Sequence, residues 1–200
     1  MNTVILDDVI QKGCFNGLQR KYLDNISGPA IERWYLWNTE HYFREFCTSL
    51  INLAATYYNL ETCGGYEFWI HNHTKPPTWH IDNDERRRIE DGVLVFPLCS
   101  IVYYLSVEDL VGGELHISHN DEIELFSTNK LYEDVRENRL DGQVDDIFIP
   151  KPNRMIIFPP GKFHNVNSFT GNRVSLIINP WDISKYKYPD YVHHERDYQD

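Results

Sequence analysis

His80 and Asp82, one residue apart, and His164 far downstream are three side chains of the types that together hold a transition metal. In an extended strand successive side chains point to opposite faces, so His80 and Asp82 project from the same face. Two imidazoles and one carboxylate make the facial ligand set that binds Fe(II) and leaves coordination positions open. Arg173 follows His164 by nine residues. Its planar guanidinium pairs with a carboxylate through two parallel hydrogen bonds, which suits it to anchor an acidic co-substrate. A His-x-Asp tripeptide alone carries little weight in a chain with nine His and 30 acidic residues. The elements around it decide its meaning.

Those elements are rich in strand-forming residues. Tyr66-Glu67-Phe68-Trp69-Ile70-His71-Asn72 precedes the first pair, and Ser100-Ile101-Val102-Tyr103-Tyr104-Leu105 and Gly112-Gly113-Glu114-Leu115-His116-Ile117 follow it. Arg154-Met155-Ile156-Ile157-Phe158 leads through Pro159-Pro160-Gly161 to His164, and Arg173-Val174-Ser175-Leu176-Ile177-Ile178-Asn179 comes last. Short β-rich runs separated by turn signals are the pattern of a jelly roll. Gly112-Gly113 reads as a hairpin turn. Upstream, the apolar residues Phe43, Phe46, Cys47, Leu50, Ala54 and Tyr57 recur at helical spacing and predict a helix over 39–58. Thr39 and Glu40 open it and Gly64-Gly65 close it. The expected architecture is mainly β (α+β), a single domain over 1–200. Within it, residues 1–65 supply a strand and bracing helices, 66–181 the jelly-roll core, and 182–200 a tail.

The order of these motifs resembles the 2-oxoglutarate- and Fe(II)-dependent oxygenase superfamily, and within it the prolyl-hydroxylase-like branch. The resemblance spans Tyr66 to Trp181. It rests on His80-Ile81-Asp82-Asn83, on Tyr103-Tyr104-Leu105, on Gly112-Gly113-Glu114-Leu115 and on the nine-residue step from His164 to Arg173. It implies a double-stranded β-helix (jelly roll) with His80, Asp82 and His164 as iron ligands. It also implies 2-oxoglutarate and O2 as co-substrates. Arg173 and Tyr104 would engage the distal carboxylate of 2-oxoglutarate, Ser175 would add a hydrogen bond, and Leu115 and Val166 would wall the co-substrate. No catalytic residue is expected beyond the metal site. The implied chemistry couples decarboxylation of 2-oxoglutarate, giving succinate and carbon dioxide, to oxidation of an unactivated C–H bond. Relatives that halogenate lack the carboxylate ligand, so Asp82 favours hydroxylation. Two stretches depart from the family pattern: Thr74-Lys75-Pro76-Pro77-Thr78 before the first ligand, and the long charged segment 120–146.

Composition sets the wider limits. Two hundred residues are enough for one substantial core. A net charge of −11 argues against nucleic acid, whose binding relies on a basic surface that releases counterions. Cationic peptides or amine-bearing small molecules suit it better. The cysteines at 14, 47, 63 and 99 form neither a zinc spacing nor a disulfide framework, which points to reduced thiols. Met1–Asp8 lacks the basic and apolar regions of a signal peptide, and no apolar run reaches the length of a membrane span. The expectation is a cytoplasmic protein that uses no membrane; the sequence leaves its oligomeric state open.

Three functional readings follow. The first is a hydroxylase of an amino-acid residue in a peptide or protein. The second is a hydroxylase of a free amino acid or natural-product intermediate. The third is a metal-binding jelly-roll protein without turnover, which the presence of both Asp82 and Arg173 disfavours. The segment 120–146, with a single helix expected over 129–139, reads either as a lid over the substrate or as a solvated surface excursion. Arg86-Arg87-Arg88 reads as a solvated loop, and His71 with His73 as surface histidines.

Overall fold

Strand-forming runs along the chain build two antiparallel sheets. The computed structural model describes residues 2–23, 32–37, 40–71, 79–119, 145–182 and 184. In order, its elements are β1 (Val4–Leu6), α1 (Lys12–Leu23), β2 (Glu32–Leu36), α2 (Arg44–Ala54), β3 (Cys63–His71) and α3 (Glu85–Asp91). They continue with β4 (Ser100–Gly112), β5 (Leu115–Ser118), β6 (Asp145–Phe148), β7 (Met155–Phe158), β8 (His164–Val166) and β9 (Phe169–Asp182). The larger sheet has the order β1-β7-β4-β9-β3-β2 and the smaller β6-β5-β8. A single bridge from His80 to His164 extends the smaller sheet on the far side of β8. This is the expected jelly roll.

Alternation along β4 separates two apolar cores. Ile101, Tyr103 and Leu105 join the buried residues of α1, α2 and β3 behind the larger sheet. Val102 and Tyr104 point the other way and pack with Leu115, Ile117, Phe148, Ile156, Phe158 and Ile177 between the sheets. Helix α2 closes the first core because Phe46, Cys47, Leu50, Ile51 and Ala54 fall on one of its faces and are buried. Each fully buried Leu, Ile or Phe there contributes roughly 1.5–3 kcal/mol. Among the described residues no helix is long and apolar enough to cross a membrane.

The structure corrects several expectations. Helix α2 covers Arg44–Ala54, much less than 39–58. Phe43 occupies its N-cap with no side-chain cap hydrogen bond. Its C-terminal end unwinds into i−3 turns, in which the Thr56 amide and hydroxyl both donate to the Leu53 carbonyl. Gly64 and Gly65 lie inside β3, so they do not terminate the helix. The N-terminal part also holds a strand, β2, antiparallel to β3. Arg87 and Arg88 belong to a short helix, α3. The Asp84 side chain caps it by accepting from the Arg87 amide at 3.0 Å, and Gly92 ends it in the left-handed conformation. Arg88 is buried and pairs with Glu85 at 2.9 Å. Asp145 and Asp146, expected in the lid or surface excursion, start β6 and pair with Ser118 and Ile117. The rest of that segment, its expected helix, His73 and residues 74–78 lie outside the described residues, as does the tail apart from Asp182 and Ser184.

Candidate metal centre

The first pair of candidate ligands is placed by a backbone exchange, without a regular strand. The His80 amide donates to the His164 carbonyl and the His164 amide to the His80 carbonyl, each at 3.0 Å. Residues joined in this way sit directly opposite, with side chains on one face. Their ring centroids are 4.2 Å apart. Asp82, two residues on, returns to that face, and its Oδ1 lies 3.7 Å from Nε2 of both His80 and His164. The expected strand over His80–Asp82 is thus an extended segment with one bridge, yet the three side chains meet as the alternation required.

These donors suit a metal ion. All three lie within 4.8 Å of one another, and no other such group of three occurs among the described residues. An ion with bonds of about 2.1 Å spans donors up to about 4.2 Å apart, so Asp82 Oδ1 and either imidazole can share one. His164 Nδ1 faces the Lys162 carbonyl at 3.0 Å. A carbonyl only accepts, so this contact keeps the proton on Nδ1 and leaves the Nε2 lone pair for a metal. Phe158 packs its ring against that of His164, centroids 4.9 Å apart. Burial opposes ionisation of Asp82, but the His164 and His80 imidazoles, the Ser100 hydroxyl and the Asn179 amide outweigh it. Its carboxyl is held below the ordinary value.

Arg173, Tyr104 and Ser175 lie along the inner face of the larger sheet. Ser175 stands opposite Tyr104 in the β4–β9 ladder, and a bulge at Tyr104–Ser106 separates that pair from Arg173. Such bulges re-aim side chains beside sites. Arg173 is only 4% exposed. Its Nη1 donates to the Gly113 carbonyl at 3.2 Å, and its guanidinium lies 4.8 Å from the Phe169 ring centroid. The Gly112-Gly113 turn therefore also presents a carbonyl to the cation. Arg173 Nε and the Tyr104 hydroxyl are buried without hydrogen-bond partners, and no carboxylate among the described residues pairs with Arg173. Burial lowers the Arg173 pKa, partly offset by Tyr104. Burial raises that of Tyr104 to about 12, with Arg173 and Arg154 opposing. An unsatisfied buried polar group costs roughly 1–3 kcal/mol, so the acceptor oxygens of an anion would relieve both donors. Leu115 and Val166 pair across β5 and β8 in the opposite wall.

Sequence reasoning missed three neighbours. Ser100 Oγ donates to Asp82 Oδ2 at 2.7 Å, Asn179 flanks the same carboxylate, and Phe158 backs His164. Asn179 had a readable signal, since it lies six residues beyond Arg173 on the same strand face. Ser100 had none, because its partner reaches it only when the chain folds back over β4.

No family model and no curated protein matches this chain. Solved structures do. A prolyl hydroxylase from Trichoplax adhaerens, in complex with a peptide fragment of the hypoxia inducible factor oxygen degradation domain, superimposes with a TM-score of 0.57. The two chains are 12% identical over 92% of this chain and 84% of that one. A Pseudomonas putida prolyl-4-hydroxylase gives 0.54 at 14% identity over 90% and 92%. A viral collagen prolyl hydroxylase from Paramecium Bursaria Chlorella virus-1, solved as a 2-oxoglutarate complex, gives 0.51 at 13% identity over 90% and 95%. The chain has the fold of these hydroxylases along most of its length.

Proposed function

We propose that this protein is an Fe(II)- and 2-oxoglutarate-dependent oxygenase that hydroxylates an unactivated C–H bond of an amino-acid residue in a peptide or protein. The observation that carries the reading is the pairing of two features within one jelly roll. A His80–Asp82–His164 cluster has its donor atoms within 4.8 Å, and a buried Arg173 has no carboxylate partner among the described residues. Iron bound by the cluster would supply oxygen activation. The protein's own residues do the rest. Arg173 and Tyr104 engage the distal carboxylate of 2-oxoglutarate, Ser175 donates to it, and Leu115 and Val166 exclude water from its chain. Asp82 offers one oxygen beside the two imidazoles. Fixed donors and a dry wall let the cofactor's chemistry proceed along one course. A peptide substrate agrees with the peptide-bound Trichoplax neighbour and with the chain's net charge of −11, which favours cationic partners.

The test is succinate release with Fe(II), 2-oxoglutarate and a panel of proline-containing peptides, other cationic peptides and free amino acids. Release stimulated by a peptide, with a mass gain of one oxygen on that peptide, is the expected result. Stimulation by a free amino acid alone would move the substrate to the second class. No release with any member, from protein that binds iron, would favour the metal-binding jelly roll without turnover.

A further inference from the structure

Asp82 carries two oxygens, and the structure treats them differently. Oδ1 faces both imidazole Nε2 atoms at 3.7 Å. Oδ2 accepts the Ser100 hydroxyl at 2.7 Å. Ser100 is 1% exposed and heads β4, paired with Phe158, the residue packed against His164. Its donor is therefore held from below by the same sheet that backs the centre. One step beyond the Ile101–Ile178 pair of the β4–β9 ladder comes Asn179. It is equally buried, with an amide that has no hydrogen bond of ordinary geometry and that lies beside the Asp82 carboxylate.

We infer that Ser100, with Asn179 as second support, acts as a positioning residue that holds Asp82 to a single metal-facing oxygen. The inference rests on the metal reading above and goes beyond it. Three protein ligands giving one atom each leave three of six positions open on an octahedral ion, enough for a two-point keto acid and O2. A carboxylate free to turn can offer both oxygens and close one of those positions. A short hydrogen bond to Oδ2 from a buried hydroxyl opposes that rotation. Groups of this kind, which orient a ligand without touching the metal, commonly change affinity by 10–100-fold when removed.

Co(II) is the probe, titrated into the full chain and followed by its visible absorption, which reports coordination number. Ser100→Ala is expected to weaken Co(II) binding by about 10–100-fold and to shift the spectrum as Asp82 turns toward two-oxygen binding. Ser100→Cys fills nearly the same space with a poor donor and is expected to behave like Ser100→Ala, which a purely space-filling role would not produce. It also stands in if the alanine variant does not fold. Asn179→Ala is expected to move both readouts in the same direction by less. Wild-type protein that binds Co(II), with Ser100 variants matching its affinity and spectrum, would overturn the inference and leave the metal reading standing. Wild-type protein that binds no Co(II), or Asp82→Ala that binds as well as wild type, would overturn both.

Discussion

Tyr103 and Tyr104 are neighbours in β4 and differ in almost everything but burial. Tyr103 points behind the larger sheet, where its hydroxyl donates to Asn153 Oδ1 at 2.8 Å. That oxygen also accepts from the Ile10 amide at 3.0 Å. Tyr104 points between the sheets, where among the described residues its hydroxyl meets no partner and the nearby Arg173 keeps an unpaired Nε. The face behind the sheet is thus largely apolar, and its buried tyrosine hydroxyl is paired. The other keeps polar groups in deficit. Folding alone would not select that deficit, because each buried donor without an acceptor costs stability. The face behind the sheet holds the molecule together; on the proposed function, the face between the sheets trades some stability for co-substrate binding.

The contrast breaks most clearly when one residue is cut from each face. Arg173→Ala is expected to weaken 2-oxoglutarate binding by about 3–5 kcal/mol, or roughly two to four orders of magnitude, while Co(II) binding persists. Thermal stability should hold or rise, since the variant relieves a desolvated, unpaired cation. Leu50→Ala, in the core behind the sheet, should do the reverse. It is expected to cost about 2–5 kcal/mol of stability by denaturant unfolding and to leave co-substrate affinity close to wild type. An Arg173→Ala protein with lowered stability and normal 2-oxoglutarate affinity would show that the two faces do not differ as described.

The adjacent tyrosines sharpen the comparison at smaller scale. Tyr103→Phe should cost about 1 kcal/mol of stability for one lost hydrogen bond and nothing in binding. Tyr104→Phe should cost little stability and roughly five-fold in 2-oxoglutarate affinity, the equivalent of about 1 kcal/mol. Swapped results would reverse the assignment of the faces.

The smallest expected effect lies on neither face. The Arg154 guanidinium, hydrogen-bonded to Asp7 at 2.7 Å, lowers its carboxyl from 3.8 to about 2 against the opposing effect of burial, with Lys151 helping. A folded-state value below the unfolded one contributes stability above about pH 3.8 that is lost as pH falls through about 2. Because the pair is partly exposed, Asp7→Asn should cost about 1 kcal/mol or less at neutral pH. The difference from wild type should vanish in acid. Acid titration of unfolding free energy for both proteins checks it, and a gap that persists at the lowest pH would exclude this ion pair as its source.

Much of the site was legible in the sequence because metal binding demands particular residue types, and strand alternation places them. His80 and Asp82 share a face, Ser175 and Arg173 share another, and Leu115 meets Val166, all from a period of two. What was not legible depends on contacts distant in sequence. The Ser100–Asp82 bond joins residues 18 apart through a fold-back that no local pattern announces. Strand β2 forms because β3, some thirty residues later, offers an edge. The early end of α2 is set by turns after Ala54, although the apolar spacing continues to Tyr57. Arg87 and Arg88 read as loop because charge was weighed above the Asp84 cap that opens α3.

On the proposed function, His80, Asp82 and His164 form one metal site on which 2-oxoglutarate binding depends. Anaerobic equilibrium binding of Fe(II), with and without 2-oxoglutarate, to wild type and to His164→Ala measures this directly. One iron per wild-type chain, tighter 2-oxoglutarate binding in its presence, and loss of both in His164→Ala protein that still folds are the expected results. Equal iron stoichiometry in wild type and His164→Ala, or 2-oxoglutarate binding indifferent to iron, would contradict that reading.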